Sequence, residues 1–318
     1  MAPLPLLALL LMAPQGLPPA RSLETGPGLR ERSDWSAVVA VPGGFVAADD
    51  EGARLWPLRL DAEAGRLELR GKPWRLPVPE SEEADLEALA WDGSRLWAAG
   101  SHSRVRRRLR EDRSPAENRE RLREPRDEPW RRRVWRLAPD GSRTEEAFSL
   151  DPLLAADPVL SPFLAIPGKE NGVDVEALAW REESLWFGFR SPVLRGHLAP
   201  VLRTTPAGEA RALLWLDLGG GGLRALETVE GGFLLISGPP RDVSGDFHLW
   251  FWSGEDATPG RGQETGRILR RLGTLPSGAG RPEGLALHRS GPSWWEVLVL
   301  HDGVPGGAPA LLRVPRPR

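Results

Sequence analysis

Five segments of the chain repeat one pattern, and that pattern limits what the chain can fold into. In the clearest copy Leu86, Leu89 and Trp91 form one apolar run and Leu96 and Ala98 a second. Asp92-Gly93 between them is a two-strand turn signal. Ser36 to Asp50, Glu87 to Ser101, Glu176 to Arg190 and Arg224 to Gly238 align without gaps at one constant length. A fifth copy, Glu283 to His301, is longer because Arg289 to Ser293 extends its turn. The copies begin at 36, 87, 176, 224 and 283, and a period near fifty built of short strands and Gly-rich turns marks a β-propeller, with one four-stranded blade per repeat. The expected fold is therefore all-β, a single-domain β-propeller of five blades. A β-sandwich, a solenoid and a propeller with a degenerate sixth blade are the alternatives.

The hairpin geometry separates two faces. Its strands are antiparallel, so the residue opening the first lies beside the residue closing the second. With the first strand of every copy lining a central channel, the five open ends meet at one mouth. The strand starts bring Glu87, Glu176, Arg224, Arg281 and Glu283 there. The strand ends bring Asp49, Asp50, Ser101, His102, Ser103, Arg104, Arg190, Arg241, Asp242, His301 and Asp302. The closed ends carry turn formers such as Pro42-Gly43-Gly44 and Glu230-Gly231-Gly232, so chemistry is expected on one face only.

Asp85-Leu-Glu-Ala-Leu-Ala with Gly100-Ser-His-Ser-Arg, Asn171-Gly-Val-Asp-Val-Glu-Ala-Leu-Ala with Gly188-Phe-Arg-Ser-Pro-Val-Leu-Arg-Gly, Gly222-Leu-Arg-Ala-Leu, and Arg281-Pro-Glu-Gly-Leu form a set that resembles the DUF3616 family. The set is also distantly similar to the esterase-like phytases. It runs from about Asp34 to about Asp302, and departs from the expected Glu-Gly-Leu where Ala88 and Ala177 replace glycine. The resemblance implies a propeller and, because that family is uncharacterised, hardly any particular reaction.

At 318 residues the chain is long enough for a closed propeller as one domain, and a net charge of −2 argues against a general polyanion binder. Fourteen Trp and eight Phe without any Tyr suit packing between blades, and Trp91, Trp97, Trp180 and Trp186 are read as blade core. The absence of cysteine excludes thiol nucleophiles, thiolate metal sites and disulfides, and leaves the compartment unreadable from redox chemistry. The apolar run Leu4 to Met12, followed by small and helix-breaking residues up to Ala20, suits a signal peptide over residues 1–20 and is too short to span a membrane. Export to the periplasm or outside the cell is the expectation, with the propeller over 21–318 and no transmembrane segment in it. No Lys or Arg precedes the run, and a start placed upstream of the true one is the other reading.

Two stretches do not read as blade. From Arg104 to Arg136 fourteen Arg stand against seven acids, and the insertion over 104–132 is either an Arg-rich lid that attracts an anion or a solvated loop with internal ion pairs. Ser114-Pro-Ala-Glu117 within it is a capping box for a short helix to about Arg123. No set of stacking aromatics accompanies it, which argues against nucleic acid as a partner. The connection over 151–172 contains Pro152, Pro158, Pro162 and Pro167 and is too proline-rich for a blade. Pro309 to Val314 is expected to pair with the chain's other end and close the ring.

Sequence signatures of P-loops, zincins, EF-hands and nucleophile elbows are absent. Ser101 and Ser103 are weak nucleophile candidates, and His102 is a candidate proton carrier. Glu87, Glu176 and Glu283 occupy equivalent positions, so they can hold a divalent cation such as Ca²⁺ or, crowded together, keep a proton for acid catalysis. Arg224 stands in the same slot of a fourth copy, so an Arg–Glu network that locks the blades is an equal alternative. The reading with most chemistry is an exported propeller hydrolase of phosphate or other esters. In it Glu87, Glu176, Glu283 and His102 act on the reaction, and Ser101, Ser103, Arg104, Arg190, Arg224, Arg281 and Asp302 bind a small or anionic ligand. The alternative is a non-catalytic propeller that binds a small ligand or protein segment.

Overall fold

The structure is a computed structural model that describes residues 16–123, 125–261, 263–276 and 280–317. The described residues form five antiparallel sheets, each one blade. The first contains Trp35–Val41, Gly44–Asp49, Arg54–Asp61 and Arg66–Leu69. The second contains Leu86–Trp91, Leu96–Gly100, Val134–Leu137 and Thr144–Phe148, and the third Asp174–Arg181, Ser184–Ser191, Leu198–Thr204 and Ala210–Asp217. The fourth contains Gly222–Val229, Gly232–Gly238, Phe247–Trp252 and Leu269–Leu275. Arg281–Gly291, Trp294–Asp302 and Ala310–Pro315 make the fifth, completed by Arg21–Ser22 from the other end of the chain. The first strand of each blade touches the first strands of both neighbours, the fifth against the first, so the inner strands form a closed ring.

The long interval between the second and third repeats holds no sixth blade among the described residues. It contains the helix Pro115–Arg123, the 3₁₀ turn Pro129–Arg131, the helix Asp151–Ala156 and two further 3₁₀ turns. The outermost strand of the fourth blade begins at Leu269, directly after the helical turn Thr265–Ile268. No helix among the described residues is long and apolar enough to cross a membrane.

The inner strands of the blades are apolar on both faces because each face meets another blade. In Trp35–Val41, Ala37 and Val39 pack toward Leu86, Leu96 and Trp135 of the second blade. Val38, pointing the other way, packs with Leu298 and Leu300 of the fifth. The same alternation gives the described residues an apolar cluster at every boundary between blades. Tryptophan fills these boundaries as expected. Trp97 stacks on Trp180 across the second and third blades at 6.5 Å and 6°. Trp186 meets Phe233 at 5.0 Å and Trp252 at 5.6 Å across the third and fourth.

Closure uses the expected pairing. Arg21 and Ser22 lie opposite Leu311 and Ala310, and the Leu23 amide donates to the Pro309 carbonyl at 2.8 Å. Two residues on, Glu24–Thr25 runs parallel to Arg66–Leu67 of the first blade, so one short segment clasps both sides of the seam. Of the leader expected over residues 1–20, residues 1–15 lie outside the described residues; Leu17 packs against the cluster between the fourth and fifth blades.

Phe233 is fully buried among these aromatic contacts, so Phe233→Ala is expected to lower stability by about 3–5 kcal/mol. Chemical denaturation measures this, and a loss under about 1 kcal/mol would mean that the boundary between blades collapses freely around the cavity.

Candidate active site at the channel mouth

Each of the five inner strands carries a β-bulge, and in every blade the extra residue is the one that opens the repeat. Trp35 and Ala37 pair with adjacent residues Asp49 and Ala48, leaving Ser36 unpaired in the ladder. Leu86 and Ala88 leave out Glu87, Val175 and Ala177 leave out Glu176, Leu223 and Ala225 leave out Arg224, and Pro282 and Gly284 leave out Glu283. A bulge bends the strand and re-aims the extra side chain. Repeated around the axis, it gives a ring in the order Ser36, Glu87, Glu176, Arg224, Glu283.

Ring order decides the pairing. Arg224 is flanked by two glutamates and reaches both: one guanidinium nitrogen lies 2.7 Å from Glu176 Oε2, and the other donates to Glu283 Oε1. Arg190 donates to Glu176 Oε1 at 2.8 Å and lies 3.9 Å from Asp174. Arg281 pairs with Asp302 and lies 3.7 Å from Glu283. On the opposite side of the ring Glu87 stands between Ser36 and Glu176, neither of them a cation. Ser36 is turned away, its hydroxyl donating to the Leu86 carbonyl. Among the described residues Glu87 has no hydrogen-bond or ion-pair partner. Burial, and then Glu176, Asp85, Glu283 and Asp50, push its carboxyl well above the ordinary range. Asp50, one Oδ of which is buried without a partner, is pushed up to about 8 by burial and by Asp302 and Asp85. Burial raises Glu283 to about 7 even against the pull of Arg224.

These acids line a cavity of about 810 Å³. Its deep wall holds Asp50, Asp85, Glu87, Asp174, Glu176, Glu283 and Asp302, and its outer wall Arg104, Arg106, Arg107, Arg108, Arg110 and Arg121. The outer wall is the Arg-rich insertion. Its base is fixed by hydrogen bonds between Val105 and Arg126 and by the Gly168 amide donating to the Arg104 carbonyl at 3.1 Å. The expected capping box forms: Ser114 N–H donates to Glu117 Oε2 at 2.9 Å, and Glu117 N–H to Ser114 Oγ at 3.3 Å. The insertion lines the cavity and also carries internal ion pairs. Arg106 pairs with Glu170, Arg126 with Glu128, and Arg131 with Glu83 and Asp85 at 2.7 and 2.6 Å. Arg104, Arg107, Arg108 and Arg110 face the cavity with no ion-pair partner among the described residues. The proline-rich connection adds Pro167, Lys169 and Glu170 to the same wall.

The structure brings Asp50, Glu87, Glu176, Glu283, Ser103, Arg104, Arg190, Asp242, Arg281 and Asp302 to this cavity and sets Ser101, His102 and Arg224 apart from it. Arg224 is buried behind, spent on two glutamates. Ser101 is fully buried, its hydroxyl 2.8 Å from that of Ser103. His102 is not poised to carry protons, which corrects the expectation from sequence. Its Nε2 accepts the Leu150 amide at 3.1 Å, so Nδ1 carries the hydrogen that goes to the Gly100 carbonyl at 2.9 Å. Both nitrogens are thus committed to backbone, and burial lowers the ring's pKa to about 4. Without a base beside them, the two serines have nothing to activate a nucleophile. No group of three or more His, Cys, Asp or Glu among the described residues is arranged to hold a metal ion, so the three glutamates do not converge as a Ca²⁺ set. Asp49 and His301 also serve local structure, Asp49 accepting from the Trp56 indole at 2.8 Å and His301 Nδ1 lying 3.1 Å from the Ala308 carbonyl.

Asp85, Asp174 and Arg131 were not expected at the site. The two aspartates carried a signal, since each stands two residues before a ring glutamate in Asp-Leu-Glu and Asp-Val-Glu. Arg131 carried none, being one of fourteen arginines in its stretch.

The profile of a protein family of unknown function, DUF3616, matches residues 34–147 and 138–308. The chain belongs to the DUF3616 family. No curated protein matches it significantly. Among solved structures it is similar to a Myxococcus xanthus glutaminyl cyclase, at 11% identity and a TM-score of 0.48 over 95% of this chain and 97% of that one. It is also similar to YCF48 bound to D1 peptide, at 11% identity and a TM-score of 0.35 over 91% and 68%.

The His102 geometry makes a pH prediction. The unfolded ring binds a proton near pH 6.5 and the folded ring only near pH 4, so the unfolded state takes up more protons in between. The contribution is complete above pH 6.5 and lost as pH falls toward 4. Relative to His102→Gln, the wild type is expected to lose roughly 3 kcal/mol across that window. A His102 midpoint near pH 6.5 by NMR would contradict the doubly bonded ring.

Proposed function

We propose that the mouth is the active site of a hydrolase for small esters that carry a negative charge, phosphate monoesters foremost, with Glu87 as proton donor. The observation that carries this reading is Glu87, a carboxyl that lines the cavity, has no hydrogen-bond or ion-pair partner among the described residues, and is held well above the ordinary carboxylate range by burial and the neighbouring acids. Arg104, Arg107, Arg108 and Arg110 supply unspent positive charge on the facing wall, able to hold the ester's anionic group. In the reaction water adds to the phosphorus as the bond to the leaving oxygen breaks. Glu87 gives its proton to that oxygen, and the proton shed by the attacking water restores the carboxylic acid.

The lattice of Arg190, Arg224 and Arg281 favours a second reading, a rigid mouth that binds the same ligands without turning them over. A panel of phosphomonoesters and anionic carboxylic esters separates the two. If the first reading holds, kcat/KM falls as pH rises through the raised pKa of Glu87, and Glu87→Gln lowers kcat by about 10²–10⁴-fold while stability is unchanged or improved. Arg107→Ala with Arg108→Ala then raises KM. Binding of these esters with no turnover by the wild type would leave the second reading and remove the first.

The apolar run Leu4 to Met12 supports action outside the cytoplasm as part of the same proposal. Protein processed on export is expected to begin at Arg21 on N-terminal sequencing, and an intact Met1 or Ala2 on exported protein would refute the leader.

A further inference from the structure

Next to the mouth lies a second cavity of about 570 Å³, lined by Arg224, Pro239, Arg241 and Phe247 among others. Arg190, Asp242 and Arg281 line both cavities. Asp242 belongs to the loop joining Gly232–Gly238 to Phe247–Trp252, and this half-exposed carboxylate collects cations from three other parts of the chain. Lys169, from the proline-rich connection, is 3.3 Å from Oδ2. Arg281, from the start of the fifth blade, is 3.2 Å from Oδ1, and Arg190, from the second strand of the third, is 3.8 Å from the same oxygen.

Three converging cations around one anion are the usual construction of a carboxylate or phosphate site. Here the anion is supplied by the protein on an exposed loop. Burial of Asp242 opposes its ionisation, yet Lys169, Arg190 and Arg281 together hold the carboxyl below its usual range. Arg241, beside it on the second cavity, has no ion-pair partner among the described residues.

We propose that Lys169, Arg190 and Arg281 form an anion subsite for a carboxylate or phosphate group of a ligand, and that Asp242 fills it in the ligand-free protein as an internal stand-in. An entering anion displaces Asp242, and the mouth and the second cavity then become one chamber. The subsite deepens the reading of the mouth as a site for anionic ligands by giving it a second contact point, away from the arginine wall.

The probes are inorganic phosphate and acetate, titrated calorimetrically. An internal competitor reduces apparent affinity by the fraction of time it occupies the site, so Asp242→Asn is expected to tighten phosphate binding by about tenfold. Asp246→Asn, on the same loop and lining the same second cavity, removes an equal charge without touching the three cations. It should change affinity by less than about twofold, because a charge at that remove is screened by salt. Adding Lys169→Ala and Arg281→Ala to Asp242→Asn should abolish the gain; both side chains are about half exposed, so the fold is expected to survive. Tightening for phosphate alone identifies a phosphate subsite, and for acetate as well a general carboxylate and phosphate subsite. Equal tightening by Asp242→Asn and Asp246→Asn, or tightening that survives the triple change, would overturn the proposal. Its failure is separable from that of the hydrolase reading: the gain in binding requires no turnover, and loss of turnover in Glu87→Gln requires no gain in binding.

Discussion

Arg224 reaches the glutamates of both neighbouring blades, and this double ion pair sets the charge pattern of the whole mouth. The guanidinium is buried and planar, with donors on both sides, so it can serve two carboxylates where a lysine would serve one. Its cost of burial is offset by those contacts and by Phe247, whose ring centre lies 5.8 Å away. Glu176 and Glu283 are thereby committed to holding the third, fourth and fifth blades in register. Glu87 is the remainder of that arithmetic, left without a hydrogen-bond or ion-pair partner among the described residues because the arginine stands elsewhere in the ring.

Architecture and chemistry are supplied by different residues of the same strands. Residues at Ala37, Val38 and Val39, and their counterparts in other blades, alternate between two apolar boundaries and give the ring its cohesion. The bulged residue one step before them contributes nothing to the ladder and is free to vary in charge. That explains how five positions with the same backbone hold a serine, three glutamates and an arginine without disturbing the fold.

The fold was legible because its signal was repeated: constant spacing, a turn in the same place and apolar runs of the same length in each copy. The placing of Glu87, Glu176, Glu283, Arg190, Arg281 and Asp302 around one cavity was legible for the same reason, since antiparallel pairing sets strand starts beside strand ends, whereas Asp85, Asp174 and Arg131 were not read there. What each residue does there was not. Glu87, Glu176 and Glu283 look alike in sequence, and only their cyclic order relative to Arg224 distinguishes a free acid from two salt-bridged ones. His102 sits in the right segment, but its partner, the Leu150 amide, is 48 residues away and leaves no local trace. The arginine insertion mixes paired and unpaired side chains that only the folded loop tells apart.

The clasp at the seam has a consequence for how the molecule is made. Arg21 and Ser22 wait for Leu311 and Ala310, partners near the far end of the chain. Blades emerging early from the ribosome can settle against one another, yet the circle stays open until Ala310 and Leu311 have been made. The first described strand of the ring is thus among the last to find its place, and a chain that stops short of Ala310 presents the unpaired rim of its last blade to whatever lies nearby.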